Sequence, residues 1–284
     1  DNLGIRNEEF MASGVYKTNK KDGSVYYRVS ITHKNKHISL GSFDDENIAF
    51  DVYSDAKNIL NSNLFSINIE TLTTTYSLCK SLISFDKFIT LLNYRDNNIY
   101  IKTPIYLCHK YFLYFLSQET VLYFNVDDLF YYSNHKILSR GNYYYVNDYG
   151  MQLALLSRYG IKPHAVMGRD YIFRNNNPHD FRYENIQVIN KYFGVTQLLK
   201  NGRVIYKTKI HINGDYIIGT YNTENEAAIA YNKAVHLIQD FVNIRFTQNY
   251  IENISKIEYA ATYSRIRISK KFLDYITSIS QLPQ

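Results

Sequence analysis

The sequence predicts an α+β protein in which two small modules, each a three-stranded antiparallel sheet packed on one helix, flank a central α+β domain. Three observations lead to this fold class. The same order of strand-like runs and helix occurs twice, and the matching glycines Gly41 and Gly219 lie 178 positions apart. Polar and apolar residues alternate within the runs, as they do in half-buried strands. Apolar residues make up 45% of the 284-residue chain, which is enough for packed cores and argues against disorder.

The repeat and the composition divide the chain into four predicted segments. Residues 1–62 form the first module and residues 191–250 the second. Residues 63–190 form an aromatic-rich central region, and residues 251–284 form a basic C-terminal extension. A chain of this length commonly folds into two or three domains. The aromatic runs of the central region are interpreted as core, and a stacking platform for single-stranded bases is the alternative.

The first copy begins at Gly14-Val15-Tyr16 and ends in a helix predicted over 46–60. Six basic residues and one acid lie within residues 13–42. The helix instead begins among acids, and Asp44 or Asp45 is its predicted N-cap. These charges predict a module with one cationic and one anionic side, a pattern that steers a polyanion toward the cationic side.

In the second copy the alternation is regular over one predicted strand. The inward set is Tyr206, Thr208, Ile210 and Ile212, and the outward set is Lys207, Lys209 and His211. Asn213-Gly214 follows, which predicts a two-residue type I′ turn, because that turn needs positive φ at both positions. Residues 215–221 are then the returning strand.

Each copy ends in a helix whose apolar residues recur at helical spacing. In the second copy Thr223 is a predicted N-cap, and Glu224 and Glu226 lie in the first turn, where the helix dipole favours acids. The apolar stripes are Ala49, Val52, Tyr53, Ala56 and Leu60, and Ala227, Ala230, Tyr231, Ala234 and Ile238. The alanines predict a close approach of helix to sheet. The opposite face of each sheet is therefore expected to lie open to water.

The order of Gly-Val, two strands, Leu-Gly-x-Phe and an alanine-rich helix resembles the APETALA-type (ethylene-response-factor) DNA-binding domain. Ala227-Ala228-Ile229-Ala230-Tyr231 matches the helix signature well, and Ala49-Phe50-Asp51-Val52-Tyr53 matches it more loosely. The resemblance covers residues 13–61 and 193–240. It implies that the sheet lies in the DNA major groove with the helix behind it. The arginines and tryptophans that read bases in the family are mostly absent, so its base code does not transfer.

The resemblance and the charge pattern together predict the DNA-contacting residues. In the first copy they are Tyr16, Thr18, Arg28, Ser30, Thr32, His37 and Ser39. In the second copy they are Thr196, Lys200, Arg203, Lys207, Lys209 and His211, with Ile217 at a corresponding position. Arg265 and Arg267 near the C-terminus are predicted to hold phosphates beside the second module, or else to be solvated.

Residues 177–186 resemble the second half of the His-Asn-His (HNH) homing-endonuclease motif. The matching positions are Asn177, Asp180, Arg182, Glu184 and Asn185. Where that family has paired histidines, this chain has Ile172-Phe173, which cannot accept a proton or bind a cation. His164 and His179 are interpreted as ordinary surface or loop residues rather than substitutes. The segment is therefore predicted to be a remnant of a ββα-metal fold, without catalytic residues, metal or cofactor.

Three functions remain open on these observations. The leading prediction is a non-enzymatic protein that binds double-stranded DNA, either a transcription regulator or a domesticated mobile-element protein. An active metal-dependent HNH endonuclease is the first alternative. An RNA-binding or structural component of a ribonucleoprotein is the second, so structured RNA remains an alternative partner. No feature indicates a small-molecule substrate.

The expected location is a reducing compartment: cytoplasm or nucleoid, or an organelle matrix or nucleus in a eukaryote. Cys79 and Cys108 form no disulfide framework and no Cys-x-x-Cys motif. The most apolar stretch, residues 104–124, is interrupted by charged and polar residues, so it is predicted to be core rather than a membrane span.

Overall fold

The computed structural model is an α+β structure, as predicted, and its described residues are 8–12, 14–61, 71–72, 74, 76–77 and 82–281. Cys79 lies outside them. The chain forms two compact units. Unit one comprises Asp1–Leu155 and Asn177–Asn185, and unit two comprises Leu156–Asn176 and Ile186–Gln284. Each unit contains one copy of the repeated module.

The first copy, module one, contains a sheet with one strand more than predicted. Its elements are β1 (Glu8–Ala12), β2 (Val15–Asn19), β3 (Val25–His33), β4 (Lys36–Phe43) and the helix α1 (Glu46–Asn61). The sheet is antiparallel in the order β1-β2-β3-β4. The sequence of β1, Glu-Glu-Phe-Met-Ala, does not alternate between polar and apolar residues, so periodicity did not predict this strand.

The rest of unit one is built around two further three-stranded antiparallel sheets, in the orders β5-β6-β7 and β10-β9-β8. Its elements are α2 (Phe85–Asn97), β5 (Ile105–Leu107), β6 (Tyr111–Phe115), β7 (Val121–Asn125), α3 (Leu129–Asn134), β8 (Ile137–Arg140), β9 (Tyr143–Asp148) and β10 (Met151–Ala154). Phe112, Tyr114 and Phe115 are at most 1% exposed. The aromatic run in β6 is therefore core, as predicted.

Unit two contains the second copy, module two. Its elements are β11 (Tyr171–Phe173), β12 (Ile186–Val188), β13 (Val195–Lys200), β14 (Arg203–His211), β15 (Asp215–Tyr221), α4 (Glu224–Ile238), α5 (Lys256–Arg265) and α6 (Lys270–Ser280). β11 and β12 form a two-stranded sheet, and β13-β14-β15 form the sheet of module two. Module two is β13, β14, β15 and α4, which matches the predicted three strands and helix.

The same glycine–tyrosine contact fixes the start of both modules. Gly14 has a φ of +88°, and an added Cβ would lie 2.3 Å from the Tyr53 ring of α1. Gly194 has a φ of +70°, and an added Cβ would lie 2.3 Å from the Tyr231 ring of α4. Only glycine fits positive φ and so close a ring. These four positions therefore explain why Gly-Val and a helical tyrosine recur in both copies.

The alanine-rich helix stripes pack closely on the sheets, as predicted. Ala49 and Ala56 of α1 and Ala227, Ala230 and Ala234 of α4 are all 0% exposed. On the sheet of module two, the buried Thr208 hydroxyl donates a 2.9 Å hydrogen bond to the Ala227 carbonyl. The predicted caps are also present, since Thr223 Oγ1 accepts from the Glu226 N–H and Asp45 Oδ1 accepts from the Ile48 N–H.

The type I′ turn predicted at Asn213-Gly214 is wrong, although the hairpin is present. Neither residue has positive φ, and His211 pairs with Asp215 across three residues, with the Ile212 N–H donating to the Gly214 carbonyl. Ile212 is 6% exposed, so the first residue of the turn is buried in the hydrophobic core. Consecutive positive φ angles occur instead at Lys34-Asn35 and at Asn201-Gly202.

No helix among the described residues is long and apolar enough to cross a bilayer. Residues 104–124, the most apolar stretch, contain the strands β5 and β6 and most of β7.

Candidate nucleic-acid interface

The face of the module-two sheet opposite α4, called open face two, contains every residue predicted for this copy in β13 and β14. Register pairs Thr196 with Lys207 and Lys200 with Arg203. Thr208, Ile210 and Ile212 alternate with Lys209 and His211 along the chain and are buried beneath α4. Lys209 and His211 therefore lie on the same open face. Open face two is defined by Thr196, Leu198, Lys200, Arg203, Ile205, Lys207, Lys209, His211, Asp215, Ile217 and Thr220.

Open face two is strongly cationic, with one acid. Lys200 and Arg203 are exposed and Lys207 is half-buried. Within the described part of the chain these three cations form no ion pair. Asp215, which sequence reasoning missed, contacts Lys209 Nζ at 2.5 Å and His211 Nδ1 at 2.9 Å. These hydrogen bonds lower the pKa of the Asp215 carboxyl. The acid therefore neutralises part of the positive charge that the sequence predicted for this face.

The corresponding face of module one, called open face one, contains all seven residues predicted for that copy. Register pairs Tyr16 with Arg28, Ser30 with Ser39 and Thr32 with His37. Thr32, His37 and Ser39 are exposed, while Tyr16 and Arg28 are half-buried. Open face one is defined by Tyr16, Thr18, Tyr26, Arg28, Ser30, Thr32, His37, Ser39 and Ser42. The surface is rich in hydroxyl groups.

Two of those seven residues are not available as contacts, which corrects the prediction. Thr18 is 6% exposed and Ser30 is 8% exposed. Both lie on inner strands, because β1 makes β2 an inner strand of the sheet. Their short side chains also lie next to longer ones, Tyr16 and Arg28. Thr18 Oγ1 makes no hydrogen bond within the described residues.

The cationic side predicted for module one is not a single face. Of its six basic residues, only Arg28 lies on open face one. Lys20 lies in the β2–β3 turn and forms an ion pair with Asp44 at 2.9 Å. Lys34 lies in the β3–β4 turn, and its ammonium donates a hydrogen bond to Asn98 Oδ1. Lys36 lies over the Tyr100 ring. Hairpin ends, rather than the open face, hold most of this charge.

Arg265 and Arg267 lie beside the outer edge of the module-two sheet. The Arg267 carbonyl accepts from the Tyr221 hydroxyl at 2.9 Å, and the Ser269 N–H donates to the Ile218 carbonyl at 2.8 Å. Residues 267–269 therefore line the edge strand β15. Arg265 Nη2 lies 3.4 Å from Glu226 Oε1, and its side chain is 70% exposed. Both arginines thus lie next to module two, and their contact with phosphates stays a prediction.

A cleft of about 440 Å³ within unit two adjoins open face two. Its walls include Lys162, His164, Arg169, Phe193, Lys209 and His211. His164 has a φ of +69°, a left-handed backbone that is uncommon for a residue other than glycine. Arg169 is bound to Asp170, with Nη2 and Oδ2 2.6 Å apart. Asp170 and Asp215 also line the cleft, so its lining contains both cations and acids.

Lys162 contributes a half-buried ammonium to this cleft. Its Nζ lies 3.8 Å from the centre of the Phe193 ring and 3.3 Å from Asn249 Oδ1. Burial lowers the pKa of Lys162 to about 8, despite the opposing effect of Glu224. Sequence reasoning missed this residue, because a lysine in a loop gives no sign of burial.

The HNH-like segment has the two strands of the predicted remnant but lacks its helix. Ile172 and Phe173, at the positions of the paired histidines, lie on β11, which pairs with β12. Residues 189–194 then lead directly into β13, and no helix occurs between β12 and β13 in the described chain. The helix predicted to complete the ββα remnant is therefore absent from the described residues between β12 and β13, and this detail of the prediction is wrong.

The other motif residues make structural contacts within unit one. Arg182 forms a bidentate ion pair with Asp180, at 2.8 and 2.6 Å, and Asp180 is 1% exposed. The Phe181 N–H donates to the Tyr123 carbonyl of β7, and the Asn185 amide donates to the Asp180 carbonyl. These contacts attach residues 179–181 to the edge of the aromatic sheet. Among the described residues no three His, Cys, Asp or Glu side chains are grouped so as to hold a metal ion.

The chain matches no family model, no curated protein and no solved structure. The resemblances to APETALA-type modules and to HNH endonucleases therefore stay predictions from the sequence.

Proposed function

We propose that the chain is a non-enzymatic protein that binds double-stranded DNA through the open faces of its two modules. Each sheet lies in a major-groove segment, which admits a β-sheet edge or ribbon as well as a helix. Lysine and arginine contact phosphates, and the hydroxyl and histidine side chains contact base edges. Residues 177–185 of the HNH-like segment act as a structural part of unit one.

The observation that carries this proposal is open face two. Four cations, Lys200, Arg203, Lys207 and Lys209, lie on one face of a three-stranded sheet, and α4 covers the other face. A sheet face with four cations and one acid, Asp215, has a net positive charge that fits a polyphosphate. The adjoining cleft adds the ammonium of Lys162.

The test is the salt dependence of duplex binding by the variant Lys207→Ala/Lys209→Ala. Each phosphate contact contributes about 0.9 to the slope of log affinity against log salt, so the variant should lose affinity and about one to two units of slope. The matched control is Lys57→Ala/Lys256→Ala, which removes two exposed lysines on helices α1 and α5. An unchanged slope in the first variant, or an equal loss in the control, contradicts binding through open face two.

Structured RNA is the competing partner. A-form RNA has a major groove too deep and narrow for a sheet to enter, so the proposal predicts that a DNA duplex outcompetes an RNA hairpin. Tighter binding of the hairpin would favour a ribonucleoprotein role instead. Cleavage of duplex DNA with Mg²⁺ or Mn²⁺ that is lost on His164→Ala or His179→Ala would contradict the non-enzymatic part.

A further inference from the structure

Open face two contains three apolar side chains among its cations. Leu198 is 40% exposed and lies directly opposite Ile205, which is half-buried. Ile217 is 51% exposed and lies opposite Lys209. Single exposed apolar residues are normal on protein surfaces, but three on one cationic sheet face need a reason.

The equivalent positions of module one are polar. Superposing the ladders by their shared bulges places Leu198 at the position of Thr18, Ile205 at that of Tyr26, and Ile217 at that of Ser39. Each of the module-one residues has a hydroxyl group. The fold therefore accepts polar side chains at all three positions, and folding does not require apolar residues there.

We propose that module two recognises thymine, with Leu198, Ile205 and Ile217 in contact with the 5-methyl groups that only thymine presents in the major groove. This inference rests on the proposed function and specifies its substrate as A·T-rich duplex. The flanking Lys200, Arg203 and Lys207 lie on the same face and hold the phosphates on either side. The charge of these residues matches a duplex rather than an apolar protein partner.

The chemistry favours methyl contact over hydrogen-bond readout by this face. Asparagine and glutamine, the side chains that read adenine bidentately, are absent from open face two. A buried methyl group contributes enough free energy to change affinity about three- to fourfold. Three such contacts would therefore give a preference on the order of tenfold or more.

The experiment compares an alternating d(A-T) duplex with the same duplex in which deoxyuridine replaces every thymine. This change removes the methyl groups and leaves every hydrogen-bonding group in place. The full-length protein should bind the uracil duplex on the order of tenfold more weakly. The variant Leu198→Thr/Ile217→Ser, which introduces two of the module-one residues and keeps Ile205, should prefer the thymine duplex only about three- to fourfold.

Controls separate this inference from the proposed function. Ile257→Ala removes an exposed isoleucine of α5 that is 83% exposed and lies off open face two, and it should keep the full preference for thymine. Thermal unfolding of each variant confirms that it folds. Equal affinity of the unsubstituted protein for both duplexes overturns the thymine inference alone. Failure to bind either duplex overturns the proposed function and the inference with it.

Discussion

Module one and module two share a framework and differ at their open faces. Both contain the glycine–tyrosine contact, and both have a bulge at the same point of the last hairpin, after Val29 and after Thr208. Open face one has one cation and many hydroxyl groups, whereas open face two has four cations and three apolar side chains. The helix and core fix the backbone, and the open face is left to determine what each module contacts.

For a protein that binds DNA as proposed, the difference also changes what each module is expected to contribute to binding. A hydroxyl-rich face makes hydrogen bonds to base edges, and a cationic face makes phosphate contacts that depend on salt. Module two should therefore supply most of the affinity and the salt dependence. Module one, through Thr32, His37 and Ser39, should supply hydrogen bonds to bases.

The largest expected effect tests whether the framework is shared. Gly194→Ala should destabilise unit two by about 3 kcal/mol, because the new Cβ meets both the Tyr231 ring and the Lys209 carbonyl oxygen while the backbone keeps a positive φ. Gly14→Ala should destabilise unit one by a similar amount through the Ser30 carbonyl oxygen and the Tyr53 ring. Denaturant unfolding of each variant measures both losses.

The matched control for this pair is Gly202→Ala. Gly202 has a φ of +73°, but nothing lies within 4 Å of an added Cβ. Gly202→Ala should therefore lower the free energy of unfolding by only about 1 kcal/mol, the cost of a positive φ for alanine. Equal losses for Gly194→Ala and Gly202→Ala would show that the close contacts of Gly194 with Tyr231 and the Lys209 carbonyl are unimportant.

An intermediate effect concerns a pH dependence confined to unit two. The pKa of Lys162 is about 8 in the folded protein, against an ordinary value of 10.5. Between these values the unfolded chain binds more protons, so the free energy of unfolding rises with pH in that window and the penalty is complete below pH 8. From pH 8 to 9.5 the protein should gain about 1 to 2 kcal/mol relative to Lys162→Met. A pH-independent difference between the two proteins contradicts the buried ammonium.

The smallest effect is expected from moving one acidic charge from open face two to open face one. Asp215 of module two occupies the register position that His37 occupies in module one. Asp215→Asn should tighten duplex binding about two- to fivefold, because Lys209 and His211 lose their acidic partner. His37→Asp should weaken binding by a similar factor. Titration of a labelled duplex at low salt measures both, and effects of the same sign would contradict the equivalence of the two faces.

Periodicity predicted the framework well. The alternation from Tyr206 to Ile212 and the alanine stripes depend on local residue order, and the structure confirms both. Register then placed every residue predicted for β2, β3, β4, β13 and β14 on an open face. These features were predictable because side chains alternate between the two faces of a strand.

The remaining features depend on contacts between distant parts of the chain. Burial of Thr18 follows from the unexpected strand β1, and the position of Asp215 follows from a bulge and a three-residue turn. The buried ammonium of Lys162 depends on Phe193 and Asn249, which lie 31 and 87 positions away. No local pattern indicates such contacts.

The path of the main chain between the two units has a practical consequence for dissecting the protein. The backbone leaves unit one after Leu155, returns for Asn177–Asn185, and leaves again at Ile186. A protease that cuts once within 177–185 would leave residues 156–176 joined to the first fragment. The β11–β12 pairing and the Lys162–Asn249 hydrogen bond would still hold these residues on the second fragment. Neither half is thus released by one cleavage, and a nicked chain should migrate intact until it is denatured.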